Sequence, residues 1–110
     1  MQAPVKSWGV KSITPQELRA RLHAPAVPFL LDVRDPEELA DGAIAGSVNI
    51  PMAKVGDRIG EIPTDREVVV ICHLGGRSAR VTQMLNAIGY DKAINLEGGM
   101  EAWLTASSRP

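Results

Sequence analysis

The stretch Glu67-Val68-Val69-Val70-Ile71-Cys72-His73-Leu74-Gly75-Gly76-Arg77-Ser78 decides the architecture. From Val68 to Ile71 it is apolar and β-branched without a break, which predicts a strand covered on both faces, as the central strands of parallel sheets are. A loop with two glycines follows. From Ser78 to Ile88 the apolar residues Val81, Leu85 and Ile88 recur on one helical stripe, and Gly89 is placed to cap the helix C-terminus. Strand, glycine loop and amphipathic helix form the unit from which parallel sheets are built, because a parallel neighbour needs a crossover connection.

The same alternation extends outward. Ser12-Ile13 predicts a short strand, and Thr14-Pro15-Gln16-Glu17 a capping box with proline at the first helical position. Leu18 and Leu22 then share one face of a helix that Ala24-Pro25 ends. Phe29-Leu30-Leu31-Asp32-Val33 predicts a second buried strand, and Asp35-Pro36-Glu37-Glu38 a second capping box that opens a helix. Val48-Asn49-Ile50 predicts a short strand, and Val55, Ile59 and Ile62 are spaced for a short amphipathic helix before the turn at Pro63-Thr64-Asp65-Arg66. Ala93-Ile94-Asn95-Leu96 predicts the last strand, followed by Glu97-Gly98-Gly99 and a helix through Trp103. The fold class is therefore α/β with a mainly parallel central sheet.

The chain has 110 residues, 45% of them hydrophobic and 23% charged, the profile of one globular domain able to bury a core without disulfide or metal staples. The expected organisation is an N-terminal tail at 1–8, a domain at 9–104 and a C-terminal tail at 105–110. Twelve Lys and Arg against thirteen Asp and Glu give a net charge of -1, scattered rather than blocked, so no nucleic-acid or membrane partner is expected. No signal-peptide pattern or membrane-length apolar stretch appears, and the expected location is cytoplasmic.

Cys72 is the only cysteine, so it forms no internal disulfide, and with His23 and His73 alone beside it a zinc site is short of ligands. It is either a small buried apolar group or a reactive thiol. Its placement at the carboxyl end of the central strand, where functional groups of α/β sheets gather, favours the second. The loop His73-Leu74-Gly75-Gly76-Arg77 lets backbone N–H groups curl inward as an anion cradle. Those amides, the following helix N-terminus and the Arg77 cation all favour a thiolate, hence covalent catalysis.

Four blocks carry a family resemblance: Leu31-Asp32-Val33-Arg34 with Asp35-Pro36-Glu37-Glu38, Gly46-Ser47-Val48-Asn49-Ile50-Pro51, Cys72-His73-Leu74-Gly75-Gly76-Arg77-Ser78, and Asn95-Leu96-Glu97-Gly98-Gly99-Met100-Glu101-Ala102-Trp103. In this order and over nearly the whole chain they resemble single-domain rhodaneses, sulfurtransferases that carry sulfur as a cysteine persulfide. The resemblance implies a three-layer α/β/α rhodanese-like fold and a thiosulfate sulfurtransferase without cofactor. Cys72 is its implied nucleophile, and His73, Leu74, Gly75, Gly76, Arg77 and Ser78 its implied substrate-binding loop. Implied partners are thiosulfate or a persulfide donor and, as acceptor, cyanide, a small thiol, thioredoxin or a sulfur-acceptor protein. The amides from Leu74 to Ser78 are expected to hold the persulfide, and Arg77 to neutralise the loop or bind departing sulfite.

The chain departs from the family at Ala43-Ile44-Ala45-Gly46, where a His-Ile-Pro-Gly run is common. Related phosphatases have one more residue between cysteine and arginine, so the four here favour sulfur over phosphate. Asp32 and Arg34 are expected as an ion pair that orients the active loop. Asp35, Glu37 and Glu38 suit helix N-terminal charges better than metal ligands, and Gly98-Gly99 suits a tight strand-to-helix turn. Met100 and Trp103 are expected in packing, and Trp8 as an anchor of the N-terminus. The competing functions are a sulfur- or redox-sensing or protein-binding module that uses Cys72 without turnover, and a phosphatase or arsenate reductase.

Overall fold

The computed structural model describes residues 9–107, so Trp8, the 1–8 segment and the last three residues lie outside the described residues. Among the described residues five strands form one sheet: β1 (Ser12–Ile13), β2 (Phe29–Asp32), β3 (Val48–Asn49), β4 (Val68–Ile71) and β5 (Ala93–Leu96). Their spatial order is β1-β5-β4-β2-β3, and all four pairings are parallel, so β4 is central as the sequence predicts. In the same described residues three α-helices accompany them: α1 (Pro15–Leu22), α2 (Gly76–Ala87) and α3 (Gly99–Ser107). Among the described residues no helix is long and apolar enough to cross a membrane.

The period of two along the strands divides the core into two layers. Val68, Val70 and Cys72 face one side with Leu31, Val33, Val81 and Leu85, beneath α2. Val69 and Ile71 face the other with Ile13, Leu18, Leu30, Ile94, Leu96 and Met100, beneath α1 and α3. Both sets are nearly free of solvent, which is why β4 has no polar residue between Val68 and Ile71.

Local signals set most helix ends. The Thr14 capping box is complete: Glu17 N–H donates to Thr14 Oγ1 at 3.1 Å, and Thr14 N–H donates to Glu17 Oε1 at 2.9 Å. At the end of α2, Gly89 takes φ +106°, its N–H donates to Asn86 O and the Tyr90 N–H donates to Leu85 O, a Schellman motif.

Three expectations are corrected. The segment Pro36–Asp41 is a 3-10 helix rather than an α-helix, and only six residues long. Val55, Ile59 and Ile62 do not share a continuous helix: 3-10 turns at Met52–Lys54 and Ile59–Glu61 carry the segment, which holds the poor helix formers Gly56 and Gly60. The apolar spacing still serves the core, since Val55 and Ile62 are buried and the Tyr90 hydroxyl reaches the Ile59 and Ile62 carbonyls. At the C-terminus α3 runs to Ser107, so Thr105, Ala106 and Ser107 are helical rather than tail. The helix stays in register with the apolar face that Met100 and Trp103 turn to the core.

Beyond β2 the backbone is held by a charge pair inside the protein. Arg34 and Asp32 are each 1% exposed in their side chains, with Arg34 Nη2 2.8 Å from Asp32 Oδ2 and Arg34 Nε 3.0 Å from Asp32 Oδ1. Arg34 also donates to the Glu38 carbonyl at 3.1 Å and the Gly42 carbonyl at 2.8 Å, so the pair clamps both ends of the Pro36–Asp41 turn. Truncating one member strands a buried charge, and Arg34→Met is expected to cost about 3–5 kcal/mol of folding free energy. Urea denaturation of Arg34→Met and of Asp32→Leu/Arg34→Met tests this. The double variant is expected to be the more stable of the two.

Candidate active site

Cys72 follows directly on β4, and the protein takes hold of the backbone there from the far side. Met100 N–H donates to the Cys72 carbonyl at 2.8 Å and Glu101 N–H to the His73 carbonyl at 3.1 Å, both from the first turn of α3. These helix N–H groups have no intrahelical acceptor, so the two carbonyls serve as their caps. With its carbonyls turned toward α3, the chain reverses, and the Gly75 amide turns back toward the sulfur.

Gly75 makes that reversal. Its φ is +109°, a region costly for residues with a Cβ, and its N–H donates to Cys72 Sγ at 3.0 Å. At Gly76 a Cβ would meet only open space and φ is ordinary, so glycine is required at 75 and not at 76. The first N–H groups of α2 leave the loop free of intrahelical partners and carry the positive end of the helix.

The Ser78 hydroxyl lies 3.2 Å from Cys72 Sγ and 2.5 Å from Asn95 Oδ1, while Asn95 Nδ2 donates to the Gly75 carbonyl at 3.3 Å. Cys72, Ser78 and Asn95 are all buried. Hydrogen bonds donated to a sulfur favour its anionic form.

The remaining loop residues divide. His73 and Leu74 are exposed, and only the Gly75 amide of the expected Leu74-to-Ser78 set donates to the sulfur itself. Arg77 does not present a free guanidinium: Nη1 and Nη2 bond the two oxygens of Glu38 at 2.7 and 2.8 Å. This fork holds the Glu38 carboxyl down to about 2 and raises the affinity of Arg77 for its proton. In this arrangement Arg77 links the loop to the Pro36–Asp41 turn. Asp32 and Arg34 reach the loop only through that brace, since Arg34 fixes the turn that carries Glu38.

Glu38, Asn95 and Gly99 are the contributors that sequence reasoning missed. Glu38 matches a helix-start charge, and it does bond the Asp35 N–H at 2.9 Å, which hides its second task. Asn95 carried a signal: an amide at an inward position of an otherwise apolar strand needs a buried partner. Gly99 has φ +61°, and a Cβ there would press on the Cys72 carbonyl oxygen and lie 2.5 Å from that of His73. The Gly98-Gly99 pair is thus a tight turn, as expected, and also the seat of the active loop.

The family model described as the Rhodanese-like domain matches residues 14–106. A protein named sulfurtransferase from Allochromatium vinosum is 38% identical over 94 residues, covering 86% of this chain and 88% of that one. A protein named thiosulfate sulfurtransferase GlpE from Pseudomonas syringae is 33% identical over 95 residues, covering 86% and 88%. The crystal structure of a rhodanese-like domain protein from Staphylococcus aureus superposes with a TM-score of 0.80 at 39% identity, over 84% of this chain and 90% of that one.

The supports of the loop can be tested one at a time. Gly99→Ala forces a side chain into φ > 0 against backbone oxygens and is expected to lose more than about 1–3 kcal/mol, whereas Gly76→Ala is neutral or stabilising, as thermal denaturation of both will show. Because Glu38 is depressed from 4.5 to about 2 in the folded protein, its pairing stabilises the fold above pH 4.5 and is lost as pH falls toward 2. Glu38→Gln is therefore expected to lose less stability than the wild type across that window in urea titrations.

Proposed function

This chain belongs to the rhodanese-like family, and from that premise we propose that it is a sulfurtransferase of the thiosulfate type, with Cys72 as nucleophile and sulfur carrier. The observation that carries the reading is the convergence of the Gly75 N–H and the Ser78 hydroxyl on the Cys72 sulfur, beside the N-terminus of α2. The names of its relatives supply the chemistry: sulfur transfer in general, and thiosulfate for the GlpE protein.

In the first step the Cys72 thiolate attacks the outer sulfur of thiosulfate. A sulfur–sulfur bond forms to Cys72, the bond to the sulfonyl sulfur breaks, and its electron pair leaves as sulfite. In the second step an acceptor nucleophile attacks the terminal sulfur of the persulfide, and the Cys72 thiolate departs with the electron pair. Cyanide then leaves as thiocyanate, while a thiol acceptor becomes a persulfide. A persulfide donor in place of thiosulfate follows the same path, as does a small thiol, thioredoxin or a sulfur-acceptor protein in place of cyanide.

The protein's part is electrostatic. The Gly75 N–H, already turned toward the sulfur, stabilises the anion without reorganising during reaction, and the free N–H groups of Gly76, Arg77 and Ser78 extend that cradle outward to the terminal sulfur. Arg77 supports the cradle from behind through Glu38 rather than by holding the leaving group. The four residues between Cys72 and Arg77 make a narrow loop, which supports sulfur in preference to phosphate.

Intact-protein mass after incubation with thiosulfate tests the reading. The wild type is expected to gain one sulfur atom and Cys72→Ser none, and cyanide is expected to remove the gain as thiocyanate. A reduced wild type that gains nothing from thiosulfate or from a persulfide donor points instead to a sensing or binding module. Hydrolysis of an aryl phosphate that needs Cys72 points to a phosphatase.

A further inference from the structure

The Ser78 hydroxyl has one proton and two acceptors in reach, Asn95 Oδ1 at 2.5 Å and Cys72 Sγ at 3.2 Å. The orientation of Asn95 follows from Gly75, whose carbonyl can only accept: the Nδ2 side of the amide must face it, and Oδ1 is left facing Ser78. Ser78 is 0% and Asn95 2% exposed, so water does not stand in for either partner. Ser78 is further fixed by Thr82, whose hydroxyl donates to the Ser78 carbonyl at 2.8 Å.

The two states of the sulfur make opposite demands on this group. When the sulfur is protonated, Cys72 S–H donates to Ser78 Oγ and Ser78 donates to Asn95 Oδ1, and every group is satisfied. When the sulfur is anionic, the Ser78 proton must turn toward it, and Asn95 Oδ1 loses its donor. Asn95 and the sulfur compete for one proton, and the shorter distance belongs to Asn95.

We propose that Asn95 is a positioning residue that restrains Cys72: it holds the Ser78 hydroxyl toward itself and so withholds one hydrogen bond from the anionic sulfur until a reactant draws the hydroxyl back. The proposal deepens the reading of Cys72 as sulfur carrier and takes its functional meaning from it.

The test measures alkylation of Cys72 by iodoacetamide in the full chain, on the rising acid limb of the wild-type pH–rate profile, with ultraviolet thiolate absorbance alongside. Asn95→Val is expected to speed alkylation about fivefold, the size of one ordinary hydrogen bond, and to raise the absorbance. The Gly75 carbonyl keeps the Ala79 N–H in that variant, and the charges nearest the sulfur, Arg77 with Glu38, are untouched; His73 is exposed. Ser78→Ala is expected to slow alkylation, and Ser78→Ala/Asn95→Val to match Ser78→Ala, because the Asn95 effect passes through the Ser78 hydroxyl.

Unchanged or slower alkylation in Asn95→Val, or an acceleration that persists without the Ser78 hydroxyl, overturns the proposal. Asn95→Ala provides a second variant should valine not fold. In the wild type itself, the Asn95 side-chain amide proton resonances are expected to shift as Cys72 ionises, and resonances that stay fixed overturn the proposal without any variant. A wild type that gains no sulfur from thiosulfate defeats the sulfur-transfer reading alone and leaves these rate ratios to decide on Asn95.

Discussion

The site depends on two hydrogen bonds that do not touch the sulfur. By accepting from Met100 and Glu101, the carbonyls of Cys72 and His73 are drawn to the N-terminus of α3. In a trans peptide the N–H points opposite to the C=O, so the His73 and Leu74 amides are turned away from α3, and the Gly75 amide that follows donates to the Cys72 sulfur. The arrangement satisfies orphan donors of α3 and orients the loop at once, which makes helix capping and the geometry of the candidate site the same interaction. It also explains the demand for glycine at 99, where any side chain would occupy the space between α3 and those carbonyls.

A second chain of contacts holds the loop from the opposite flank. Asp32 and Arg34 form a buried pair at the end of β2; Arg34 fixes the Pro36–Asp41 turn; that turn presents Glu38; and Glu38 grips Arg77 with both oxygens. The chain moves from a charge pair sealed in the interior to one about a third exposed. The interior pair supplies rigidity, because breaking it strands a charge away from water, while the outer pair is screened and contributes mainly orientation. Arg77 is thereby braced against the Pro36–Asp41 turn by its fork with Glu38.

Between these flanks lies a small polar island, Ser78, Thr82, Asn95 and Ser12, within the otherwise apolar layer beneath α2. Buried polar groups persist where each finds a partner, and three of these four do. The island lies directly against the cysteine sulfur through the Ser78 hydroxyl.

The alternation of buried strands and amphipathic helices was legible in the sequence by itself, because the periods of two and of 3.6 are local properties of the chain. So were the capping box at Thr14, the Gly89 helix end and the placement of Cys72 at the carboxyl end of β4. The 3-10 form of Pro36–Asp41 was not, since a capping box marks where a helix begins and not which hydrogen-bond step it adopts. The pairings of Arg77 with Glu38, 39 residues apart, and of Ser78 with Asn95, 17 apart, were decided only by tertiary structure. Which charge meets which, and which acceptor claims a hydroxyl proton, depends on distances of tenths of an ångström between elements remote in the chain. A sequence carries the residue types for those encounters, and only the folded chain brings them within reach.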